Sequence, residues 1–153
     1  MKKIIVFDVD GTLADIEHRR HWIDCRPKNW KAFFAVQHED PPHEEIVWMA
    51  KALKDANTKI IICSGRSAEF RKVTETWLLE QGVSFDEVFM RHIGDHRPDY
   101  AVKVELLEEI REKYQPKRER RIRFTEQYCD AENLELLFKE ISKKPKQEEE
   151  KNK

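Results

Sequence analysis

A chain of 153 residues is long enough for one domain with a sizeable core. Apolar and charged residues each make up 39%, and 29 basic side chains against 30 acidic ones leave a net charge of −1. No overall field therefore draws the protein to nucleic acid or a membrane, and such a partner has to be met by a local patch. Cys25, Cys63 and Cys129 are odd in number and far apart, with no C-x-x-C pair for zinc or redox work, and they read as reduced cytosolic thiols.

The first predicted element is a strand, "KIIVF" at 3–7. It stops at Asp8, far short of a signal sequence or membrane span, so the expectation is a cytoplasmic protein without a membrane partner. "DVDGT" follows directly. Two aspartates one residue apart at a strand end repel each other and contribute no stability of their own. The next stretch, "IEHRRHWIDCRPKNWKAFFAVQHED", has room for a flap with one short helix, over about 16–40. In it His18, Arg19, Arg20, His21, Arg26, Lys28 and Lys31 interleave with Trp22, Trp30, Phe33 and Phe34. That alternation suits a phosphate backbone with stacked bases. Helical spacing of Trp30, Phe33 and Phe34 suits anchoring of the flap to the core equally well.

Pro41 and Pro42 precede a helix marked by Ile46, Val47, Ala50 and Leu53. "KIIIC" at 59–63 is a second strand, nearly unbroken in apolarity, as strands covered on both faces are. Ser64, Gly65 and Arg66 end it, and Ser67 is placed to cap a helix running through Phe70, Val73, Trp77 and Leu78. "EVFM" at 87–90 is a third strand, and Val102, Leu106, Leu107 and Ile110 mark a third core helix. The basic run "PKRERRIR" at 116–123 reads as solvated loop and strand edge, leading into a fourth strand, "RIRFT" at 121–125. The tail at 143–153 has no apolar residue and is expected to be disordered. Strand and helix in alternation predict an α/β fold, a doubly wound Rossmann-like parallel sheet, as a single domain over 1–142.

In such sheets sites form beyond the carboxyl ends of the strands, which gathers Asp8, Asp10, Ser64, Gly65 and Arg66 into one crevice. A lone Asp-Gly is usually an ordinary turn. D-x-D-G-T after an apolar strand is a longer and more specific signal, and it resembles the first motif of the haloacid dehalogenase superfamily of phosphohydrolases. That resemblance implies an α/β core, here with room for only a minimal cap, and Asp8 as nucleophile forming an aspartyl-phosphate. It also implies Asp10 as general acid and base, supplying in addition a backbone carbonyl to a magnesium ion, with Thr12 near the phosphate. The cation is required because a carboxylate meets repulsion from a phosphate dianion. Ser64 fits the second motif, a hydroxyl for a nonbridging phosphate oxygen, and Lys103 the third, a lysine that neutralises phosphate and nucleophile.

"SGR" at 64–66, "MR" at 90–91 and "GDHRPDYAVKVELL" at 94–107 resemble the 3'-phosphatase domain of phage and bacterial polynucleotide kinase/phosphatase enzymes, over roughly residues 3–115. By that resemblance Arg19, eleven residues after the nucleophile, joins Arg66, Asp99 and Lys103 in the site, with Arg91 of the matching "MR" placed beside them at the phosphate. Asp99 is expected to orient Lys103 or Arg91 or to complete the metal site through water. The fourth motif departs from the family pattern. An acidic pair is expected at the end of the fourth strand, and Glu126-Gln127 stands there. Glu126 is then the candidate third magnesium ligand, with Asp130, four residues on, as the alternative. No GxxxxGK[ST] loop occurs in the sequence, so a 5'-kinase, like a ligase, is expected as a separate partner. Only 48 residues lie between Asp15 and Ser64, too few for a large cap, so the site is expected to be open to the 3' end of DNA or RNA. The alternatives are a phosphatase of small nucleotides and a catalytically weak module that binds nucleic-acid ends.

Overall fold

The computed structural model describes residues 4–114. Within them the chain runs β1 (Ile4–Phe7), α1 (Glu17–Asp24), α2 (Trp30–Ala35), α3 (Glu44–Asp55), β2 (Lys59–Ser67), α4 (Arg71–Glu80), β3 (Glu87–Arg91) and α5 (Asp99–Tyr114). The three strands form a parallel sheet in the order β1-β2-β3, with Ile61 at the centre paired to Val6 in register on one side and to Glu87 on the other. This is the expected doubly wound α/β core. The fourth strand expected at 121–125, Glu126, Asp130 and the tail lie outside the described residues.

Alternation along the strands explains why they are so apolar. Ile5, Phe7, Ile60, Ile62, Val88 and Met90 face one layer, built on α3 and α4 through Ile46, Val47, Ala50, Trp77 and Leu78. Ile4, Val6, Ile61, Cys63 and Phe89 face the other, where Val102, Leu106 and Ile110 of α5 close over them. Both faces of β2 are dry, so a period-two pattern of polar residues has no place in it. The Cys63 thiol, buried here, has its pKa pushed up to about 12 by burial and the nearby Asp8 charge, and it is not a nucleophile.

Two local readings are corrected. Ser67 does not cap α4. A single 3-10 turn at Ala68–Phe70 intervenes, Phe70 takes the cap position, and the Ser67 hydroxyl is buried without a hydrogen-bond partner among the described residues. The flap holds two short helices, α1 and α2, where one was expected. Both ends of the segment that carries them are pinned to the loop after β1. The Asp15 amide donates to the Pro41 carbonyl at 2.8 Å and the His43 amide to the Leu13 carbonyl at 2.9 Å.

Candidate active site

The loop after β1 is a tight turn anchored by the residue between the two aspartates. Val9 is fully buried, and its carbonyl accepts the amides of Thr12 (3.2 Å) and Ala14 (2.9 Å). Gly11 closes the turn at φ +77°, where a side chain is strained. With Val9 fixed in the core, Asp8 and Asp10 both border a cleft of about 280 Å³. Gly11 and Thr12 line the same side of it, and Asp99 and Lys103 of α5 the other.

Each aspartate belongs to a separate chain of charges. Asp8 Oδ1 accepts the Val9 amide at 2.7 Å, and Oδ2 meets Lys103 Nζ at 2.5 Å. Lys103 in turn lies 2.9 Å from Asp99 Oδ2, one helical turn earlier, and Asp99 Oδ1 accepts from Arg91 Nη2 at 3.3 Å. Arg91 is itself fixed by donating from Nε to the Gly65 carbonyl at 2.7 Å. Burial pushes the Asp8 carboxyl up to about 6, against the pull of Lys103. Burial works against the Lys103 charge too, but Asp8 and then Asp99 outweigh it and hold its pKa above the ordinary lysine value.

Asp10 borders the same cleft but has other partners. Arg66 Nη2 and Arg19 Nη2 both donate to its Oδ1 at 2.6 Å, and Arg66 Nε reaches Oδ2 at 3.0 Å. Both guanidiniums are essentially inaccessible, Arg19 at 0% and Arg66 at 1% exposure. Burying two arginines requires carboxylates beside them, and the second carboxylate is Asp40. Arg19 donates to it from Nε and Nη2 at 2.6 Å, Arg66 from Nη2 at 3.0 Å, and His18 Nε2 sits 2.8 Å away. Asp40 is held in place by Trp77, whose indole N–H donates to the Asp40 carbonyl at 2.9 Å. Arg66 Nη1 donates to Gln37 and Thr74, and the Arg19 guanidinium lies 4.0 Å over the Phe33 ring. Burial raises the Asp10 pKa, yet Arg66 and then Arg19 overcome it, leaving the carboxyl below its ordinary value. The flap is thus tied to the core through a buried ionic network centred on the second aspartate.

The structure therefore brings together Asp8, Asp10, Thr12, Arg19, Ser64, Arg66, Arg91, Asp99 and Lys103. Ser64 is fully buried at the end of the regular part of β2, its Oγ accepting the Arg66 amide at 3.2 Å, which leaves its own O–H to donate. The pairing of β2 with β3 shifts between Ser64 and Ser67, and this irregularity turns Gly65 and Arg66 toward the aspartates. Sequence reasoning missed Asp40, Gln37 and Thr74, which hold the two arginines. The only trace of Asp40 in the sequence is its place at the expected end of the flap.

Gly65 is required by close approach. A Cβ there meets Asp99 Oδ1 at 1.8 Å. The obstacle is the end of a half-exposed side chain, so Gly65→Ala is expected to swing Asp99 off Lys103 and Arg91. Turnover should fall about tenfold, one lost charge-assisted contact, while the melting temperature changes little. Kinetics together with a thermal melt of this variant checks that, and unimpaired turnover contradicts it.

Among the described residues no cluster of three or more His, Cys, Asp or Glu side chains is arranged to hold a metal ion. The donors at the cleft are nonetheless of the type magnesium selects, hard oxygens. Arginines occupy the Asp10 carboxylate, and none of the turn's backbone hydrogen bonds ends on the Asp10 carbonyl oxygen. Asp8 through its carboxylate and Asp10 through that carbonyl thus fit as two of the ligands.

The model of the polynucleotide kinase PNKP phosphatase domain family matches residues 2–119. Among solved structures, a chain of the Pnkp1/Rnl/Hen1 complex superposes with a TM-score of 0.58 at 29% identity, and one of the Pnkp1/Rnl/Hen1 RNA repair complex with 0.55 at 28%. Both alignments cover 71% of this chain but only 34% and 31% of the longer chains, so the protein spans about a third of the length of these structural neighbours. No curated protein sequence matches it. No helix among the described residues is long and apolar enough to cross a membrane.

Proposed function

The chain belongs to the polynucleotide kinase PNKP phosphatase domain family, and from that premise we propose that it is a magnesium-dependent phosphomonoesterase that removes a 3'-terminal phosphate from DNA or RNA. Asp8 attacks phosphorus and Asp10 moves the proton. The observation that carries this reading is the division of labour between the two aspartates. One carboxylate faces the cleft with Lys103 beside it, and the other is clamped by two buried arginines in a fixed orientation.

Charge supports the cation. The described site contains four carboxylates, Asp8, Asp10, Asp40 and Asp99, and four fixed positive charges, Arg19, Arg66, Arg91 and Lys103. It is neutral before substrate arrives. A phosphate dianion brings two uncompensated negative charges, which a divalent ion held by Asp8 and the Asp10 carbonyl balances while screening the nucleophile from the phosphate. Glu126 or Asp130 is the proposed further ligand. Lys103 and Ser64 are assigned to the nonbridging oxygens, and Thr12 to the turn that receives them. The Asp10 clamp favours the ionised form, the form needed to activate water in the second half-reaction. In the first half the approaching dianion opposes the arginines and raises the pKa of Asp10, so that a proton on Asp10 passes to the leaving 3'-oxygen.

Substrate size follows from the flap. Phe33 is buried and Phe34 stacks on Phe70 at 4.8 Å, so these two rings anchor the flap. Trp22 and Trp30 remain exposed, with Lys28 5.2 Å over the Trp30 ring, and Arg26 and Lys31 of the same segment are exposed too. A short flap with two accessible indoles and exposed cationic side chains fits a strand better than a metabolite. Comparison of a 3'-phosphorylated oligonucleotide with a nucleoside 3'-monophosphate, with magnesium and with EDTA, tests this. The oligonucleotide is expected to be preferred in kcat/KM by at least about tenfold, and EDTA to stop both reactions. Equal rates favour a small-molecule phosphatase, and tight binding without hydrolysis favours an end-binding module. A kinase or a ligase acting on the same nucleic-acid ends is the proposed partner.

A further inference from the structure

We propose that Tyr100 is a specificity-determining residue that stacks on the terminal base of the strand whose phosphate lies at Asp8, an inference that rests on the polynucleotide reading of the site. Tyr100 lines the same cleft as Asp8 and Lys103. On α5 it stands three residues before Lys103, and i,i+3 neighbours share a helix face. Lys103 Nζ is 2.5 Å from the proposed nucleophile, so Tyr100 borders the cleft in which the phosphate is handled. A group carrying that phosphate into the cleft passes beside it.

The ring is free for the task. Its residue is 73% exposed, and among the described residues neither ring nor hydroxyl meets a partner. Singly exposed aromatics are common, but this one is placed at the cleft by a fixed backbone. The Pro98 carbonyl accepts the amides of Ala101 (3.1 Å) and Val102 (3.3 Å), and Asp99 next to it is held by Lys103 and Arg91. Tyr100 is the aromatic residue among those that line the cleft. Phe33 and Phe34 anchor the flap, and Trp77 is buried on Asp40. Tyrosine offers a large rigid face with two side-chain torsions to immobilise, the property that suits it to recognition surfaces.

The test uses 5'-fluorescein oligonucleotides with a 3'-phosphate, one ending in an ordinary nucleotide and one in an abasic sugar. Binding is read by anisotropy in EDTA, and hydrolysis by phosphate release with magnesium. Wild type is expected to bind the base-ended strand about tenfold more tightly than the abasic one, the size of one stacking contact. Tyr100→Ala should bring that ratio close to one, with the loss in hydrolysis falling on KM, and Tyr100→Trp should retain it. A ratio unchanged in Tyr100→Ala, or equal weakening of both strands, overturns the inference. Base-dependent binding through Tyr100 without phosphate release sustains the inference and overturns the phosphatase reading. Phosphate release with no base preference does the reverse, and binding of neither strand overturns both.

Discussion

Asp8→Asn is expected to abolish phosphate release, by at least about 10^4-fold in kcat, because a carboxamide has no lone pair basic enough to displace an alkoxide from phosphorus. The substitution keeps the shape of the side chain, and Lys103 keeps Asp99 at 2.9 Å, so the fold should persist. The same variant reports on electrostatics. The folded-state pKa of Asp8, about 6, lies above the 3.8 of an ordinary aspartate, so the folded protein holds this proton more tightly than the unfolded chain. Stability from this group is therefore present at low pH and lost as pH rises from about 4 through about 6, by at most about 3 kcal/mol. In EDTA, wild type should lose melting temperature over that interval relative to Asp8→Asn, and the variant should melt no lower than wild type at pH 7.5. Parallel pH profiles contradict the burial of an unfavourable charge at position 8. Residual turnover near the wild-type rate contradicts its role as nucleophile.

The second large effect is expected at Asp40, which touches no substrate. Its side chain is fully buried and holds both arginines that clamp Asp10. Asp40→Ala leaves two buried guanidiniums sharing one carboxylate, a loss of about 3–5 kcal/mol in stability. Asp40→Asn keeps the volume and one acceptor and should cost less. Activity separates positioning from mere support. With a 3'-phosphorylated strand the leaving group is an alkoxide that needs a proton, whereas nitrophenolate departs without one. If Asp40 acts by orienting Asp10, Asp40→Asn should slow release from the strand about a hundredfold while affecting p-nitrophenyl phosphate several-fold less. Equal losses on both substrates place the damage in phosphate binding, and a wild-type melt for Asp40→Ala contradicts the buried network.

What could be read from the residues follows the physics that writes local patterns. Ile4–Phe7 and Ile60–Cys63 announce themselves because both faces of the sheet are covered, and Val102, Leu106 and Ile110 mark α5 because their four-residue spacing sets them on its inner face. Element ends were less visible. Glu44 and Glu45 open α3 but face solvent, so apolar spacing detects only Ile46 onward. Nothing local distinguishes Ser67 from a cap, because the turn that displaces α4 to Arg71 is set by the shift in strand pairing. Spacing and motif brought Asp8, Asp10, Ser64, Arg66 and Lys103 to one crevice, since all lie at strand ends or on the helix that follows. Asp40 was not legible as a partner of Arg19 and Arg66. Its contacts span 21 and 26 residues and depend on how the flap folds back, a tertiary fact without a sequence period. The aromatic residues of the flap were ambiguous for the same reason, and burial decides between anchor and free face for each.

The central claim is a covalent bond between Asp8 and phosphorus during turnover. Rapid acid quench of the enzyme with a 3'-phosphorylated strand and magnesium, followed by borohydride reduction and peptide mass spectrometry, reads that bond directly, because an acyl phosphate is reduced to homoserine. The account predicts homoserine at position 8, dependent on both substrate and magnesium and absent from Asp8→Asn. Steady phosphate release with position 8 unmodified, or with the reduced residue at another aspartate, contradicts it.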